Sequence, residues 1–239
     1  MRAMTPDPKP KTRNAKLPFV FVNMAITADG KIATANRKVS TFASRRDHEH
    51  LLELRATADA VMSGAGTVNA GPITLGPGGA RFQRLRLRRG LAEYNLRVIV
   101  SGGGNVDPRA EVFRHRFSPI ILLTTARAKN LPALRAVVDD VKPCGARELN
   151  FRTALLWLRK KWKVKRLLCE GGGEVNGALF RAGLVDEVHL TVSPKIFGGA
   201  DAPTLAGGAG GLKLADAAEF RLKSAKRVGD EMFLVYGRK

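Results

Sequence analysis

Apolar and polar positions alternate along the chain with two different periods, which predicts strands and helices in turn. Residues 19–27 are apolar at nearly every position, as expected of a strand that is buried on both faces. In residues 151–161, Phe151, Leu155 and Leu158 fall on one stripe of a helix. The same reasoning predicts further strands at 59–63, 97–101, 119–125, 164–169 and 186–193, and helices at 44–55, at 131–138 and up to residue 181.

The last two apolar segments, 219–228 and 231–237, are joined only by Gly229 and Asp230, which predicts an antiparallel hairpin. Strands that alternate with helices before such a hairpin favour an α/β fold, with a mainly parallel central sheet and helices on both faces. Residues 1–17 are rich in proline and basic residues, and we expect a flexible basic tail there. No linker interrupts the remainder, so residues 18–239 are predicted to form a single domain.

Basic residues exceed acidic ones, 41 against 21, and the net charge is +20. Such an excess favours polyanionic partners, among them nucleic acid and phosphorylated small molecules. However, the basic residues are spread over the whole chain and only 6% of residues are aromatic, which disfavours a nucleic-acid surface. No apolar run approaches the roughly 20 residues that cross a bilayer, so we expect no membrane partner. Two cysteines without a CxxC motif argue against disulfides and a metal site, and favour a cytoplasmic location.

Glycines follow three of the predicted strands, within 64–66, 102–104 and 171–173. In a parallel sheet, ligands bind outside the carboxyl ends of the strands. Glycine lets the backbone approach a phosphate closely, and the N-terminus of a following helix offers free N–H groups. The segment 170–177 is such a strand-to-helix junction, but Asn176 takes the place of the last glycine of the dinucleotide fingerprint. The pattern is compatible with a nucleotide cofactor and equally with ordinary turns.

Other polar residues offer weaker candidates for chemistry. We expect His189 to be a strand residue with a satisfied ring, and Cys169 to be an inert thiol inside an apolar strand. His48 and His50 lie two apart on a predicted helix and do not share a face, so no metal site is expected there. The five arginines within 81–89 fit either a solvated loop or a contact to a substrate phosphate. Without a clear catalytic base, an enzyme of this composition is expected to rely on a cofactor.

Six segments, taken in order, resemble a known family: residues 23–33, 54–62, 66–68, 168–173, 184–188 and 194–199. They are similar to the reductase domain of riboflavin biosynthesis, which reduces the ribosyl group of 5-amino-6-(5-phosphoribosylamino)uracil to a ribityl chain. The resemblance implies a dihydrofolate-reductase-like three-layer α/β fold, NADPH as hydride donor and a homodimer. The zinc motifs of the family's deaminase domain do not occur in the sequence, so we expect a reductase that stands alone.

The resemblance also implies site residues, which are carried over position by position. Those implied for the cofactor are Ala25, Thr67, Ser101, Gly102, Gly171, Gly172, Gly173 and Glu174. Those implied for the substrate are Asn36, Lys38, Arg55 and Glu170, although Asn36 and Lys38 differ in type from the family pattern. The family's Asp-Asp-Pro is missing after Thr67 and Val68, where the chain runs into Gly71-Pro72. Two alternatives therefore stay open: a divergent NADPH-dependent reductase of another small substrate, and a non-catalytic protein that binds phosphate or RNA.

Overall fold

The computed structural model describes residues 16–37, 42–208 and 210–239. Its strands are β1 (Phe19–Thr27), β2 (Ala60–Gly64), β3 (Leu96–Val100), β4 (Ile120–Thr124), β5 (Asp140–Pro143), β6 (Arg166–Cys169), β7 (Glu187–Ser193), β8 (Phe220–Val228) and β9 (Glu231–Arg238). Its helices are α1 (Arg45–Arg55), α2 (Ala65–Ala70), α3 (Ala80–Arg88), α4 (Glu111–Arg114), α5 (Leu131–Arg135), α6 (Phe151–Lys161) and α7 (Gly173–Arg181).

One sheet joins these strands in the order β5-β4-β3-β2-β6-β1-β7-β9-β8. In this order, the strands from β5 through β7 all run parallel to one another. Strand β9 runs antiparallel to both β7 and β8. The predicted mainly parallel sheet with a C-terminal antiparallel hairpin is therefore confirmed. Because β3, β2, β6 and β1 are consecutive in the sheet, their carboxyl ends lie side by side at one edge.

Two apolar cores cover the two faces of the sheet. Val20 and Val22 of β1 point to one face, where they belong to a core shared with α6 and α7. Phe19 and Phe21 point to the opposite face, where the core includes residues of α1, α2, α4 and α5. This alternation follows from the period of two in a strand. The near-continuous apolar run of β1 thus fills both cores, and the predicted three layers are confirmed.

The structure corrects the sequence analysis at residues 81–89, where no helix was predicted and a solvated loop was one of two interpretations. This segment belongs to the helix α3 and its C-cap residue Arg89. The two inward residues of α3, Phe82 and Arg86, are four positions apart, but one of them is charged. An inward-facing arginine hides the apolar period from which helices are recognised. The short strand β5 was missed as well, since its residues Asp140 and Pro143 are disfavoured in strands.

Residues 1–15 lie outside the described part of the chain, so the division into a tail at 1–17 and a domain at 18–239 stays a prediction. Among the described residues, no helix has the length and apolar character needed to cross a bilayer.

Candidate active site

The carboxyl ends of β2, β3 and β6 open into a cavity of about 890 Å³. Each end contributes small residues to the wall, at 64–66 after β2, at 101–103 after β3 and at 172–173 after β6. Residues 200–208 contribute to the same wall. Cavities of roughly 300–1,000 Å³ are typical of sites for organic ligands and cofactors. The glycines at the strand ends therefore do lie around one concave space.

The N-terminus of α7 forms part of this cavity. Gly172 is the N-cap residue and supplies no side-chain hydrogen bond, so the first N–H groups of the helix are not capped by it. A β-carbon on Gly172 would lie 3.4 Å from Thr67 Oγ1, whereas one on Gly173 would overlap with the backbone oxygen of Thr204. Gly173 is thus required for the packing of a neighbouring loop, and Gly172 leaves free space in the cavity. An uncapped helix N-terminus attracts an anionic group.

Glu170 occupies the junction between β6 and α7 and lines the cavity. Its backbone N–H donates to the Met62 carbonyl over 2.8 Å. Arg55, the last residue of α1, donates to both oxygens of the Glu170 carboxylate, from Nε over 2.7 Å and from Nη2 over 2.6 Å. Arg55 Nη1 donates to the Gly76 carbonyl over 2.7 Å. Both side chains are 11% exposed. This bidentate, nearly buried ion pair fixes the orientation of the Glu170 carboxylate.

Two other candidates form bonds within the protein. His189 is a strand residue as expected, and its Nε2 lies 2.8 Å from Glu187 Oε1, but its Nδ1 is buried without a hydrogen-bond partner, so the ring is satisfied at one nitrogen only. The Cys169 thiol donates to Asn176 Oδ1 over 3.3 Å. Burial raises the pKa of Cys169 to about 12, so the thiol stays protonated and is a poor nucleophile.

The sequence profile of the RibD C-terminal domain family matches residues 18–234. The chain belongs to this family. A relative from Methanothermobacter thermautotrophicus is 31% identical over 219 residues, which are 92% of this chain and 97% of that protein. A relative from Archaeoglobus fulgidus is 30% identical over 213 residues, 89% of this chain and 94% of that protein. Both carry the name 2,5-diamino-6-ribosylamino-4(3H)-pyrimidinone 5′-phosphate reductase.

A solved structure from Thermotoga maritima shares the fold with a TM-score of 0.70 and 24% identity. It is named a diaminohydroxyphosphoribosylaminopyrimidine deaminase/5-amino-6-(5-phosphoribosylamino)uracil reductase. The match covers 94% of this chain and 57% of the longer Thermotoga chain. This structural match confirms the fold class. The family profile and the two relatives confirm the resemblance to the riboflavin-biosynthesis reductases that the sequence motifs indicated.

Most of the family positions implied for a ligand line the cavity. Those that do so are Thr67, Ser101, Gly102, Glu170, Gly172, Gly173 and Glu174. Four other positions are not part of its lining, namely Ala25, Asn36, Arg55 and Gly171. Ala25 follows the lining residue Met24, and Gly171 packs against Val175. Arg55 lies behind Glu170, and Asn36 accepts a hydrogen bond from Thr34. Lys38 lies outside the described residues.

Several residues of the cavity were missed by sequence reasoning. Arg37 is a cation among the described lining residues, next to the implied position Asn36, and its backbone has a φ of 55°. Asn69 also lines the cavity, in the segment where the family's acidic pair is missing. Its amide nitrogen donates to the Asn105 carbonyl, and its amide oxygen accepts from the Asp107 N–H, both over 3.0 Å. Asn69 therefore joins α2 to the segment that follows β3.

The five arginines within 81–89 lie on α3 or at its C-cap rather than in a loop, and none of them, all described, lines the cavity. Four of them are exposed to solvent, namely Arg81, Arg84, Arg88 and Arg89, so the solvated alternative is correct for these four in exposure but not in secondary structure. Arg86 is 1% exposed and bonds to backbone carbonyls, which excludes a solvated position for it.

Proposed function

We propose that this protein reduces the ribosyl group of a phosphoribosylaminopyrimidine, with NADPH as the hydride donor. The observation that carries the proposal is the cavity at the carboxyl ends of β2, β3 and β6, with the fixed carboxylate of Glu170 in its wall. Relatives that the chain covers almost completely are named as reductases of such a pyrimidine. A single reductase function accounts for both observations.

The lining of the cavity fits a phosphate-bearing cofactor. Gly172 leaves room beside Thr67, and the N-terminus of α7 supplies N–H groups and a positive dipole end. We therefore propose that Thr67, Ser101, Gly102 and the first residues of α7 bind NADPH. When bound, this cofactor supplies the hydride, so the protein's own task is to align the reacting groups. Gly171 and Ala25 are adjacent in sequence to the lining residues Gly172 and Met24, and we propose that they contribute by positioning the backbone of these neighbours.

We propose that Glu170 orients the pyrimidine or the ribosyl hydroxyls by accepting hydrogen bonds. A carboxylate offers about four lone-pair positions, and Arg55 uses one on each oxygen. The remaining positions can accept from N–H or O–H groups of a bound substrate. Arg37, which stands between Asn36 and Lys38 in the sequence, is proposed to lie on the side of the substrate phosphate, because a guanidinium binds phosphate strongly. Arg55 acts on the substrate through Glu170.

Two pyrimidines compete as the substrate. The sequence resemblance suggests 5-amino-6-(5-phosphoribosylamino)uracil, whereas the two archaeal relatives are named for the 2,5-diaminopyrimidinone. The two compounds differ at C2, which carries an oxo group in the first and an amino group in the second. Since the relatives of similar length favour the diamino compound, we expect it to be the better substrate.

The test is to add each pyrimidine in turn and to measure the oxidation of NADPH by its absorbance. We expect a product that carries two additional hydrogens, a higher kcat/KM for the diamino compound, and a preference for NADPH over NADH. Glu170→Gln should lower kcat/KM about ten- to hundredfold, because a neutral amide accepts weaker hydrogen bonds. Binding of NADPH without turnover of either pyrimidine would indicate a divergent reductase. Absence of NADPH binding would favour the non-catalytic alternative.

We further infer a homodimer and a cytoplasmic location. Strand β8 forms the edge of the sheet, and residues 221–227 are exposed, including Leu222. An open strand edge of this length is a surface on which a second copy can pair. Light scattering tests the dimer. Cys144 and Cys169 are free thiols, which is the state expected in a reducing compartment.

A further inference from the structure

The helix α3 caps the end of α1 through one buried cation. Arg86 Nη1 donates to two carbonyls, that of Arg55 over 2.7 Å and that of Ala58 over 2.6 Å. Its Nε donates to the Ala92 carbonyl over 2.9 Å. The last carbonyls of a helix have no partner within the helix, and a cation at this end is favourable. Arg86 thus holds the final turn of α1 and the start of the following segment together.

Arg89 adds a second contact at the same place. Its Nη1 donates to the Ala56 carbonyl over 3.2 Å. Burial lowers the pKa of Arg86 to about 10, which still leaves the guanidinium protonated at neutral pH. The end of α1 is therefore fixed by charge and by hydrogen bonds from α3, rather than by apolar packing alone.

The residue whose carbonyl Arg86 binds is the residue that holds Glu170. The Arg55 backbone is fixed by Arg86, and the Arg55 side chain is fixed by Glu170 and by Gly76, which belongs to the loop before α3. A continuous set of short hydrogen bonds therefore runs from α3 through Arg55 to a carboxylate in the cavity wall. A shift of the last turn of α1 would displace that carboxylate.

We propose that Arg86 is a positioning residue of the substrate site, which acts by holding Arg55 so that Glu170 faces the cavity in its binding orientation. This inference rests on the proposed reductase function. The inference separates the two ligands of that function, because the hydrogen bonds of Arg86 go to the carbonyls of Arg55, Ala58 and Ala92. Arg55 links Arg86 to Glu170 on the substrate side, and none of these bonds reaches Thr67, Ser101 or Gly172 on the cofactor side. A change at Arg86 should therefore affect the pyrimidine and leave NADPH binding almost intact.

The chain offers a matched control in Arg97. It is also fully buried, and burial likewise lowers its pKa to about 10. Arg97 Nη1 donates to the Val112 carbonyl over 2.8 Å, and its Nε donates to Ser118 Oγ over 3.1 Å. It lies near the start of β3, whereas the cavity is at the end of that strand. Removal of either arginine breaks bonds to backbone carbonyls. Arg86 bonds directly to the Arg55 carbonyl, whereas Arg97 reaches Arg55 only indirectly, through the Phe117 ring that packs on Gly76.

The experiment compares Arg86→Met with Arg97→Met in the full chain. For each variant we measure kcat and KM with the diaminopyrimidine, the Kd of NADPH, the free energy of unfolding, and amide hydrogen exchange in residues 54–59. Arg86→Met should raise KM or lower kcat/KM about ten- to hundredfold, with NADPH affinity within about twofold of the wild type. Exchange in residues 54–59 should be faster. Arg97→Met should lose stability to a similar degree without either change.

Arg86→Lys supplies a rescue. One nitrogen of Arg86 contacts both the Arg55 and Ala58 carbonyls, so a lysine ammonium at that point can serve both, and most of the wild-type KM should return. If the methionine variants do not fold, Arg86→Gln and Arg97→Gln replace them with the same expected difference. An equal kcat/KM in Arg86→Met and the wild type, or equal changes of kcat/KM in the two methionine variants, would overturn the proposal. Failure of the wild type to reduce either pyrimidine would instead refute the proposed function.

Discussion

The α-carbon of Gly173 faces the backbone carbonyl of Thr204 so closely that any β-carbon would overlap with the oxygen. The preceding Gly172 has no such neighbour, since its nearest atom would be Thr67 Oγ1 at 3.4 Å. Two adjacent glycines of one motif therefore have different structural roles. Gly173 permits the loop at 204–207 to pack on α7, and Gly172 keeps space open in the cavity.

Substitution by alanine should separate these duties. Gly173→Ala should lower the free energy of unfolding by about 1–3 kcal/mol, because backbone atoms must move. Gly172→Ala should change stability by less than about 1 kcal/mol and weaken NADPH binding about tenfold, because a methyl group enters the proposed cofactor space. Urea unfolding and calorimetric titration measure the two effects. Normal NADPH affinity in Gly172→Ala would remove this residue from the proposed cofactor site.

Arg55→Met should be strongly destabilising. It leaves the Glu170 carboxylate nearly buried without its partner, and breaking such a pair costs about 3–5 kcal/mol. The control is Arg46→Met on the same helix, where a more exposed pair with Glu53 is worth about 0–1 kcal/mol. Denaturant titration gives both values. The double variant Arg55→Met/Glu170→Gln should recover part of the loss, and strict additivity would show that the two residues are not coupled.

Acid should lower the free energy of unfolding by protonating the Glu187 carboxylate. Burial raises the pKa of this carboxyl, but hydrogen bonds from His189 and Lys223 outweigh burial and lower the pKa to about 2. A lowered folded-state pKa contributes stability that is present above the ordinary value of 4.5 and is lost as the pH falls towards 2. Between about pH 6 and about pH 3, the stability difference between wild type and Glu187→Gln should shrink by about 2 kcal/mol.

The control for that pH dependence is Glu219→Gln, because Glu219 forms an exposed pair with Lys239 at the protein surface. Unfolding curves at the two pH values should show little difference between this variant and the wild type. The same pH dependence in both glutamine variants would contradict a special role of Glu187.

Neither thiol should react while the protein is folded. Cys169 is fully buried with a pKa raised to about 12, and Cys144 is 1% exposed, with a pKa that burial also raises. Since the thiolate is the reactive form, an aromatic disulfide reagent should label both cysteines only after denaturation. The absorbance of the released thiolate gives the number of reacted groups. Rapid labelling of the native protein, with Cys144→Ser to identify the thiol, would show that one cysteine is accessible.

The fold was predictable where each element follows a simple period. The bounds expected for the helix at 151–161 agree with α6, because Phe151, Leu155 and Leu158 all face the core. The helix α3 was not predictable in this way, since Arg86 takes an inward position that an apolar residue would normally fill. Arg86 is stabilised there by three backbone carbonyls, and two of them, those of Arg55 and Ala58, belong to residues that a local sequence window around Arg86 does not contain.

The sequence was sufficient to predict which positions belong to the site, but much less so how these residues are arranged in space. The glycines at 171–173 were expected to approach a ligand together, but only tertiary packing determines that Gly171 meets Val175 while Gly172 faces the cavity. Arg55 and Glu170 both came from the family motif. Their pairing across 115 sequence positions depends on how α1 crosses the sheet, so it could not be derived from either motif.

The central place of β1 in the sheet has a consequence for synthesis of the chain. Phe19 pairs with Arg166 and Phe21 pairs with Glu187, so β1 leaves the ribosome well over 100 residues before the two strands that flank it in the sheet. Loop closure over such distances is slow, and exposed apolar strands aggregate. Until β6 and β7 emerge, residues 19–27 are an apolar segment without its partner strands, and we expect it to be prone to aggregation. Chains that terminate before β7 should accumulate as insoluble material, even though they contain the residues of the cavity at the ends of β2, β3 and β6.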